Sequence, residues 1–148
     1  MTYSKIYLKP GKEESLQRFH PWVFSGAIQR FEKQPEEGDI VEVTDNKGNF
    51  IALGHYQIGS IAVRVLSFEP TTIDLDFFKN RLMTAYELRK SIGLTDRDYN
   101  NTFRLVHGEG DNLPGLIIDI YDQTAVMQAH SPGMHYARHI LADAIIQV

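Results

Sequence analysis

The chain has 148 residues and a mass of 16.9 kDa, which is enough for one ordinary domain or two very small ones. Its composition, 43% hydrophobic and 23% charged, is that of a globular protein and excludes collagen-like and disordered chains. No apolar run approaches the roughly 18 residues that a membrane-spanning helix needs. The first residues lead into polar sequence rather than into the apolar stretch of a secretory signal. We therefore expect a cytoplasmic protein without a membrane partner.

The chain contains no cysteine. This absence excludes a disulfide framework, a thiolate metal site and a cysteine nucleophile within these residues. Any reaction that needs a thiolate must therefore be carried out by other polypeptide.

The net charge of −4 argues against a nucleic-acid partner, because phosphate binding needs clustered lysine and arginine. The distribution of the charge weakens that objection. Residues 34–101 and 102–148 are both acidic, whereas residues 1–33 carry a net charge of +3. The basic residues of this stretch are Lys5, Lys9, Lys12, Arg18, Arg30 and Lys33. A local positive surface can bind a polyanion even in an acidic protein, so we place any such surface at the N-terminal end.

The first seventy residues have the pattern of short β-strands. Polar and apolar residues alternate from Lys5 to Lys9, and the stretch from Lys12 to Arg18 is long enough for about two helical turns. Residues 45–49 contain Asp, Asn and Gly, which favour a reversing turn, so the flanking segments predict a hairpin. The predicted strands cover residues 5–9, 39–44, 50–56 and 61–68.

The pattern changes to helical after Pro70. Asp74 is suited to cap the first turn of a helix and Gly93 to end it, which predicts a helix over residues 74–92. Strands are then predicted over 103–106, 116–121 and 124–129, followed by a helix over 135–148. The apolar stripe of that last helix has no stop signal after it, so we expect the chain to be cut from a longer polypeptide.

Two stretches resemble one family. Residues 20–28 read HPWVFSGAI, and residues 103–119 read FRLVHGEGDNLPGLIID. Both resemble motifs of the large bacterial class I methyltransferases that make 5-methylcytosine in 23S rRNA, the first in their PUA domain and the second in their central domain. The order and spacing of the motifs also agree, so the similarity spans essentially the whole chain.

The resemblance implies an α+β architecture. A PUA-like β pseudo-barrel over residues 1–70 would precede a linking helix and a partial small α/β central domain over 71–148. The parent protein would be an enzyme that uses S-adenosylmethionine and acts on 23S rRNA, with its catalytic domain outside this chain. The residues agree with that division, because cytosine-5 methylation needs a thiolate and Leu113 interrupts the glycine pattern of Gly108 and Gly110. We expect no catalytic residue, metal site or cofactor site in this fragment.

Aromatic and basic side chains near the N-terminus are the candidate RNA contacts. Aromatic rings can stack unpaired bases, and cations can hold phosphate. For Trp22 and Phe24 the favoured interpretation is structural, with both rings filling the barrel and Pro21 fixing a bend. The full set of predicted RNA-binding residues is Lys5, Lys9, Lys12, Arg18, His20, Trp22, Ser25 and Arg30.

The loop from Gly108 to Gly115 has two interpretations. Glu109 and Asp111 could bind a cation or orient a group of the missing domain, but two carboxylates make a poor cation site. The favoured alternative is a tight turn with Pro114 at its first corner and Gly115 at its second, in which Asp111 and Asn112 cap backbone amides.

His135 and His139 are four residues apart on the predicted last helix, which would place both imidazoles on one face. A metal site needs further ligands, and no Glu follows His135 to make a zinc-binding motif. We therefore predict no metal there.

The leading hypothesis is an RNA-recognition fragment that positions ribosomal RNA for a catalytic domain elsewhere. The alternative is a stand-alone PUA-like module that binds a small ligand or a protein partner. A homodimer formed through the helix at 74–92 or through the C-terminal apolar stripe is a third hypothesis. The RNA position and the modified base do not follow from these residues.

Overall fold

The computed structural model describes residues 2–96, 98 and 100–148. The chain forms two compact units, the first extending to Thr72 and the second running from Ile73 to Val148. No helix among these described residues is long and apolar enough to cross a membrane.

The first unit is a six-stranded sheet with one short helix, α1 (Glu14–Gln17). The strands lie in the order β2-β6-β5-β4-β1-β3, and β1 with β4 is the one parallel pair among the strand pairings described. Their bounds are β1 (Ser4–Leu8), β2 (Trp22–Phe24), β3 (Ile28–Phe31), β4 (Ile40–Thr44), β5 (Phe50–Tyr56) and β6 (Ile61–Ser67).

One face of this sheet encloses an apolar core. Alternate residues point to opposite faces of a strand, a pattern that β1 and β4 follow, whereas β6 contributes the adjacent Ala62 and Val63. The core includes Ile6, Leu8, Leu16, Val23, Val41, Val43, Ala52, Tyr56, Ala62, Val63 and Val65. A curled sheet around such a core confirms the predicted PUA-like pseudo-barrel.

The hairpin of β4 and β5 confirms the prediction made from its turn. The carboxylate of Asp45 accepts hydrogen bonds from the backbone amides of Lys47 and Asn49, each at 2.9 Å, and Gly48 has a positive φ of 88°. The Asn49 side chain also donates to Asp45, and these bonds lower the pKa of the Asp45 carboxyl. The turn therefore satisfies its own backbone groups.

Two strands of this unit were not predicted from the sequence. The strands β2 and β3 are only three and four residues long, too short to show a clear alternation, and a 3-10 turn at Ser25–Ala27 lies between them. The predicted two-turn helix over 12–18 is also wrong in length, since α1 has four residues. Phe19 follows it with a φ of 66°, which breaks the helical path.

The second unit contains a three-stranded antiparallel sheet in the order β7-β8-β9. Three helices accompany it, and α2 contacts both β7 and α4. The bounds are α2 (Leu75–Ser91), β7 (Thr102–His107), β8 (Leu116–Tyr121), β9 (Thr124–Ala129), α3 (Pro132–Tyr136) and α4 (Arg138–Ile146).

Helix α2 confirms the predicted helix over 74–92 in detail. Asp74 is its N-cap and accepts a hydrogen bond from the backbone amide of Phe77 at 2.9 Å. Gly93 follows with a φ of 82°, a conformation that favours glycine. Phe78 and Leu82 are buried, so the helix is held by its apolar side as well as by its caps.

The loop before β8 is the tight turn that the sequence favours. The amide of Leu116 donates to the carbonyl of Leu113 at 3.1 Å, with Pro114 and Gly115 at the two corners and a φ of 84° at Gly115. These are the features of a type II turn. A Cβ at Gly115 would lie 2.6 Å from the Ser131 hydroxyl oxygen, so glycine is needed there for space as well as for conformation.

The C-terminal helix differs from its prediction. It begins earlier, at Pro132, where the Ser131 hydroxyl caps the amide of Met134 at 3.2 Å. It is also divided at Ala137 into α3 and α4. The two histidines therefore lie on different helices, His135 on α3 and His139 on α4.

Candidate nucleic-acid interface

Three aromatic rings of the first unit form one cluster, which we call the aromatic cluster: His20, Trp22 and Phe24. Their ring centroids lie 5.9, 6.0 and 6.3 Å apart. Two of the three pairs are edge-to-face, a favoured arrangement for aromatic side chains. The backbone amide of Trp22 donates to Nδ1 of His20 at 3.2 Å, which fixes the orientation of the imidazole.

The cluster is held in place by strand pairing. Within β2, Val23 is 2% exposed and points into the core, so its neighbours Trp22 and Phe24 point outward. Trp22 lies directly opposite Arg64 of β6. The Arg64 guanidinium carbon is 5.7 Å from the centroid of the Trp22 ring, within the range of a cation–π contact, and its Nε donates to Gln57 Oε1 at 3.1 Å.

A depression of about 350 Å³ lies beside the cluster. Its volume falls within the roughly 300–1,000 Å³ of small-ligand pockets. Trp22 and Phe24 supply aromatic walls, Lys12 supplies a cation, and Leu16 and Val23 of the core form apolar lining. The depression therefore combines ring surface with positive charge, the two features that a nucleic-acid strand can use.

The structural interpretation of Phe24 is wrong. Its side chain is 49% exposed instead of filling the barrel. Trp22 is half-buried rather than enclosed. The reason is the alternation of β2, since burying Val23 turns the two larger rings away from the core.

Three other predicted residues, Lys5, Ser25 and Arg30, lie outside the aromatic cluster. Lys5 of β1 lies opposite Glu42 of β4, and its Nζ is 3.9 Å from the Glu42 carboxylate. The Arg30 guanidinium stacks on the ring of Tyr7, 3.7 Å from the ring centroid. Ser25 and Arg30 both line another depression, of about 300 Å³. The 3-10 turn of Ser25–Ala27 contributes residues to both depressions.

Lys9 precedes α1 in the chain and Arg18 follows it directly, and both residues are exposed. Lys9 shares a turn with Lys12, whose amide donates to the Lys9 carbonyl at 3.0 Å, and Arg18 is the residue after the helix. The structure therefore groups Lys12 with Trp22 and groups Ser25 with Arg30, while Lys5 is paired with a carboxylate.

Sequence reasoning missed Arg64 as part of the cluster. The signal was its position as the one charged residue in the apolar run from Ile61 to Phe68, where alternation turns it away from the core. Its pairing with Trp22 could not be inferred, because β2 was not predicted.

In the second unit the carboxylate of Asp111, in the loop from Gly108 to Gly115, has partners within the chain. Asp111 forms a two-bond ion pair with Arg89 of α2, with Arg89 Nη2 2.8 Å from Asp111 Oδ2. Asp111 also accepts from the backbone amide of His107 at 2.7 Å. Its side chain is 4% exposed and that of Arg89 is 12% exposed. Asp111 thus holds the loop against the helix and caps an amide as predicted.

A second ion pair lies on the same sheet. Arg104 Nε donates to Asp119 Oδ1 at 2.8 Å, and this contact lowers the pKa of the Asp119 carboxyl and raises that of Arg104. The Arg104 side chain is 45% exposed and that of Asp119 is 13% exposed, so this pair is more open to solvent than the pair of Arg89 and Asp111.

The glycines of the second unit do not have the geometry of a dinucleotide-binding loop. The glycines from Gly108 to Gly115 form a 3-10 turn and a type II turn, whereas a dinucleotide loop leads from a strand directly into a helix. Within the described residues, no group of three or more His, Asp or Glu side chains is arranged to hold a metal ion.

The fold of the first unit defines a class of domain. Residues 6–68 match the family described as a PUA-like domain, in agreement with the curled six-stranded sheet.

The comparison with whole proteins is more specific. The chain is 39% identical over 143 residues to the ribosomal RNA large subunit methyltransferase I of Escherichia coli, a match that covers 95% of this chain and 36% of the relative. The protein of the same name from Shigella boydii matches with the same identity and coverage. The chain is thus homologous to a portion of these methyltransferases, and it spans 36% of the length of the curated relatives it matches.

Solved structures agree on the fold. A candidate SAM-dependent methyltransferase from Streptococcus mutans superposes with a TM-score of 0.81 at 16% identity, covering 100% of this chain and 38% of that one. A candidate methyltransferase complexed with SAH gives a TM-score of 0.80 at 17% identity, with 100% and 37% coverage. At these identities the likeness shows the fold alone.

Proposed function

We propose that this chain is the RNA-recognition portion of an S-adenosylmethionine-dependent rRNA methyltransferase. Its task is to hold ribosomal RNA while a catalytic domain in further polypeptide modifies a base. The observation that carries the proposal is the 39% identity over 95% of the chain to proteins named as ribosomal RNA large subunit methyltransferases. The PUA-like domain and its exposed cations support the same function.

The finer assignments rest on the resemblance in the two motifs. They are 23S rRNA as the substrate, cytosine carbon 5 as the methylated atom, S-adenosylmethionine bound by the further polypeptide, and a cytoplasmic location. This chain contributes no cysteine nucleophile to that reaction. A homodimer stays a prediction, for which the exposed Ile146 of α4 and Val126 of β9 offer apolar surface.

Phosphate contacts should supply most of the affinity, because they are independent of sequence and form between exposed cations and the RNA backbone. Lys9, Lys12 and Arg18 are exposed around α1 and are the contacts we propose first. Lys5 and Arg30 are weaker contributors, since one lies beside Glu42 and the other stacks on Tyr7.

The test is an RNA titration of the chain at roughly 50 mM and 200 mM salt. We expect binding that weakens as salt rises. Reversing Lys9, Lys12 and Arg18 together to Glu should weaken binding at low salt by tenfold or more. The same variant should flatten the salt dependence, by about one unit of slope for each phosphate-binding cation that is removed.

The matched control reverses three exposed cations outside this region, Lys47, Lys90 and Arg138, and so changes the net charge equally. Equal weakening by both triple variants would show a general charge effect and contradict the proposed contacts. An absence of RNA binding at low salt would contradict the function itself and favour the stand-alone module with another ligand.

A further inference from the structure

We propose that the aromatic cluster, with Lys12 and Arg64, is a binding site for one unpaired nucleobase of single-stranded RNA. This inference rests on the proposed function and deepens it, because it separates a base-stacking site from the phosphate contacts around α1. The juxtaposition that carries it is an exposed ring, Phe24, packed on Trp22 beside a depression that a lysine also lines.

The backbone that carries the rings is held in place without a ligand. Trp22 lies on a strand paired with β6, and the amide of Ser25 donates to the carbonyl of Ser60 at 2.8 Å just after that strand ends. The imidazole of His20 is fixed by the Trp22 amide. A platform whose side chains are already ordered loses little conformational entropy when a base stacks on it.

The exposure of the cluster fits a ligand with an aromatic face. An edge-to-face pair leaves ring surface uncovered, and Phe24 keeps 49% of its surface open to solvent. Stacking of a base on such a ring is worth about tenfold or more in affinity and tolerates any base, because every base has a π-face.

The charges around the rings select a nucleotide over an uncharged aromatic ligand. The Arg64 guanidinium lies 5.7 Å from the Trp22 ring, and Lys12 lines the depression from the side of α1. A base stacked on Phe24 would carry its phosphates toward these cations. Bases inside a duplex are stacked on one another and cannot reach the platform, so the ligand is single-stranded RNA or an unpaired loop.

Binding at this site can be followed by the fluorescence of Trp22. Trp22 is the only tryptophan, so intrinsic tryptophan fluorescence reports on the cluster alone. The probe is a short single-stranded RNA of mixed sequence, compared with the same strand annealed to its complement. We expect the single strand to quench Trp22 fluorescence and the duplex to leave it nearly unchanged.

Variants at Phe24 test the stacking directly. Phe24→Leu should weaken binding of the single strand about tenfold and leave duplex binding unchanged, whereas Phe24→Tyr, which keeps the ring, should bind as the parent does. The matched control is Phe19→Leu, because Phe19 is also exposed, at 71%, but packs on Phe68 and does not line the depression. The control should bind both RNAs normally.

Each outcome separates the two proposals. Salt-dependent RNA binding without quenching, or with no effect of Phe24→Leu, would overturn the stacking site and leave the proposed function standing. Equal quenching by single strand and duplex would also overturn it. No RNA binding by any assay would overturn both. If Phe24→Leu proves unfolded by circular dichroism, the comparison of quenching by the single strand and the duplex still decides the question.

Discussion

The two units of the chain use their charged side chains in opposite ways. In the second unit two carboxylates of the motif at residues 103–119 form ion pairs with arginines, Asp111 with Arg89 of α2 and Asp119 with Arg104. In the first unit Lys9, Lys12 and Arg18 are exposed around α1. Buried charge must be paired, whereas a charge that binds a partner must stay accessible.

The comparison shows that part of the longer motif has a structural role. The segment from Phe103 to Asp119 is the more specific in sequence, and the structure gives its Asp111 a structural task as the anchor between loop and helix. The shorter motif, from His20 to Ile28, carries the aromatic cluster on the surface. A recognisable sequence therefore marks either a structural constraint or a functional one, and burial distinguishes them.

The largest change in stability is expected when the buried carboxylate of Asp111 is removed from the second unit. Asp111→Ala removes the carboxylate partner of Arg89, whose side chain is 12% exposed, so we expect the free energy of unfolding to fall by about 3–5 kcal/mol. Arg104→Ala breaks a pair whose arginine side chain is 45% exposed, so it should cost clearly less than Asp111→Ala. Urea denaturation followed by far-ultraviolet circular dichroism measures both, and equal losses would contradict the distinction.

The first unit offers a contrasting test, because it contains a buried titratable side chain that is uncharged. His55 of β5 is 4% exposed, and burial lowers its pKa from 6.5 to about 4. The unfolded state therefore binds more protons between these values, so stability is complete above pH 6.5 and is lost as the pH falls toward 4. We expect a loss of up to about 3 kcal/mol across this window.

The matched variant is His55→Gln, which cannot titrate there. Its free energy of unfolding should depend less on pH than that of the parent between about pH 6.5 and 4, with the remaining dependence coming from carboxylates. Denaturation curves at several pH values test this, and identical pH profiles for parent and variant would show that His55 is accessible to protons in the folded state.

The smallest change in stability is expected for the ion pair of Lys5 and Glu42 in the first unit. Lys5 lies 3.9 Å from the Glu42 carboxylate with 35% of its side chain exposed, so Lys5→Met should change the free energy of unfolding by less than about 0.5 kcal/mol. A loss comparable to that of Asp111→Ala in the same denaturation assay would mean that the first unit also depends on ion pairs.

Elements with complete local signals were predictable. Helix α2 has its cap at Asp74 and its stop at Gly93, and the β4–β5 hairpin has its turn residues between the strands. In both, the residues that decide the structure are neighbours in the chain, so their effect can be recognised without the fold. The type II turn at Pro114 and Gly115 belongs to the same group.

Elements that depend on distant partners were not predictable. Strand β2 has three residues and gains its definition by pairing with β6, some forty positions away in the chain. The contact of Trp22 with Arg64 and the pairing of Arg89 with Asp111 depend on the same kind of register. The division of the last helix at Ala137 likewise has no Pro or Gly at that position to announce it.

The amino-acid sequence alone determined the lack of a thiolate and the basic character of the N-terminal stretch through its composition, and its two motifs carried the resemblance that implies the α+β class and the PUA-like fold. Only the tertiary structure decided which charges are paired and which rings face solvent. The physical reason is that burial and strand register are collective properties: they depend on segments far apart in the chain being packed against one another, and no local pattern encodes the partner.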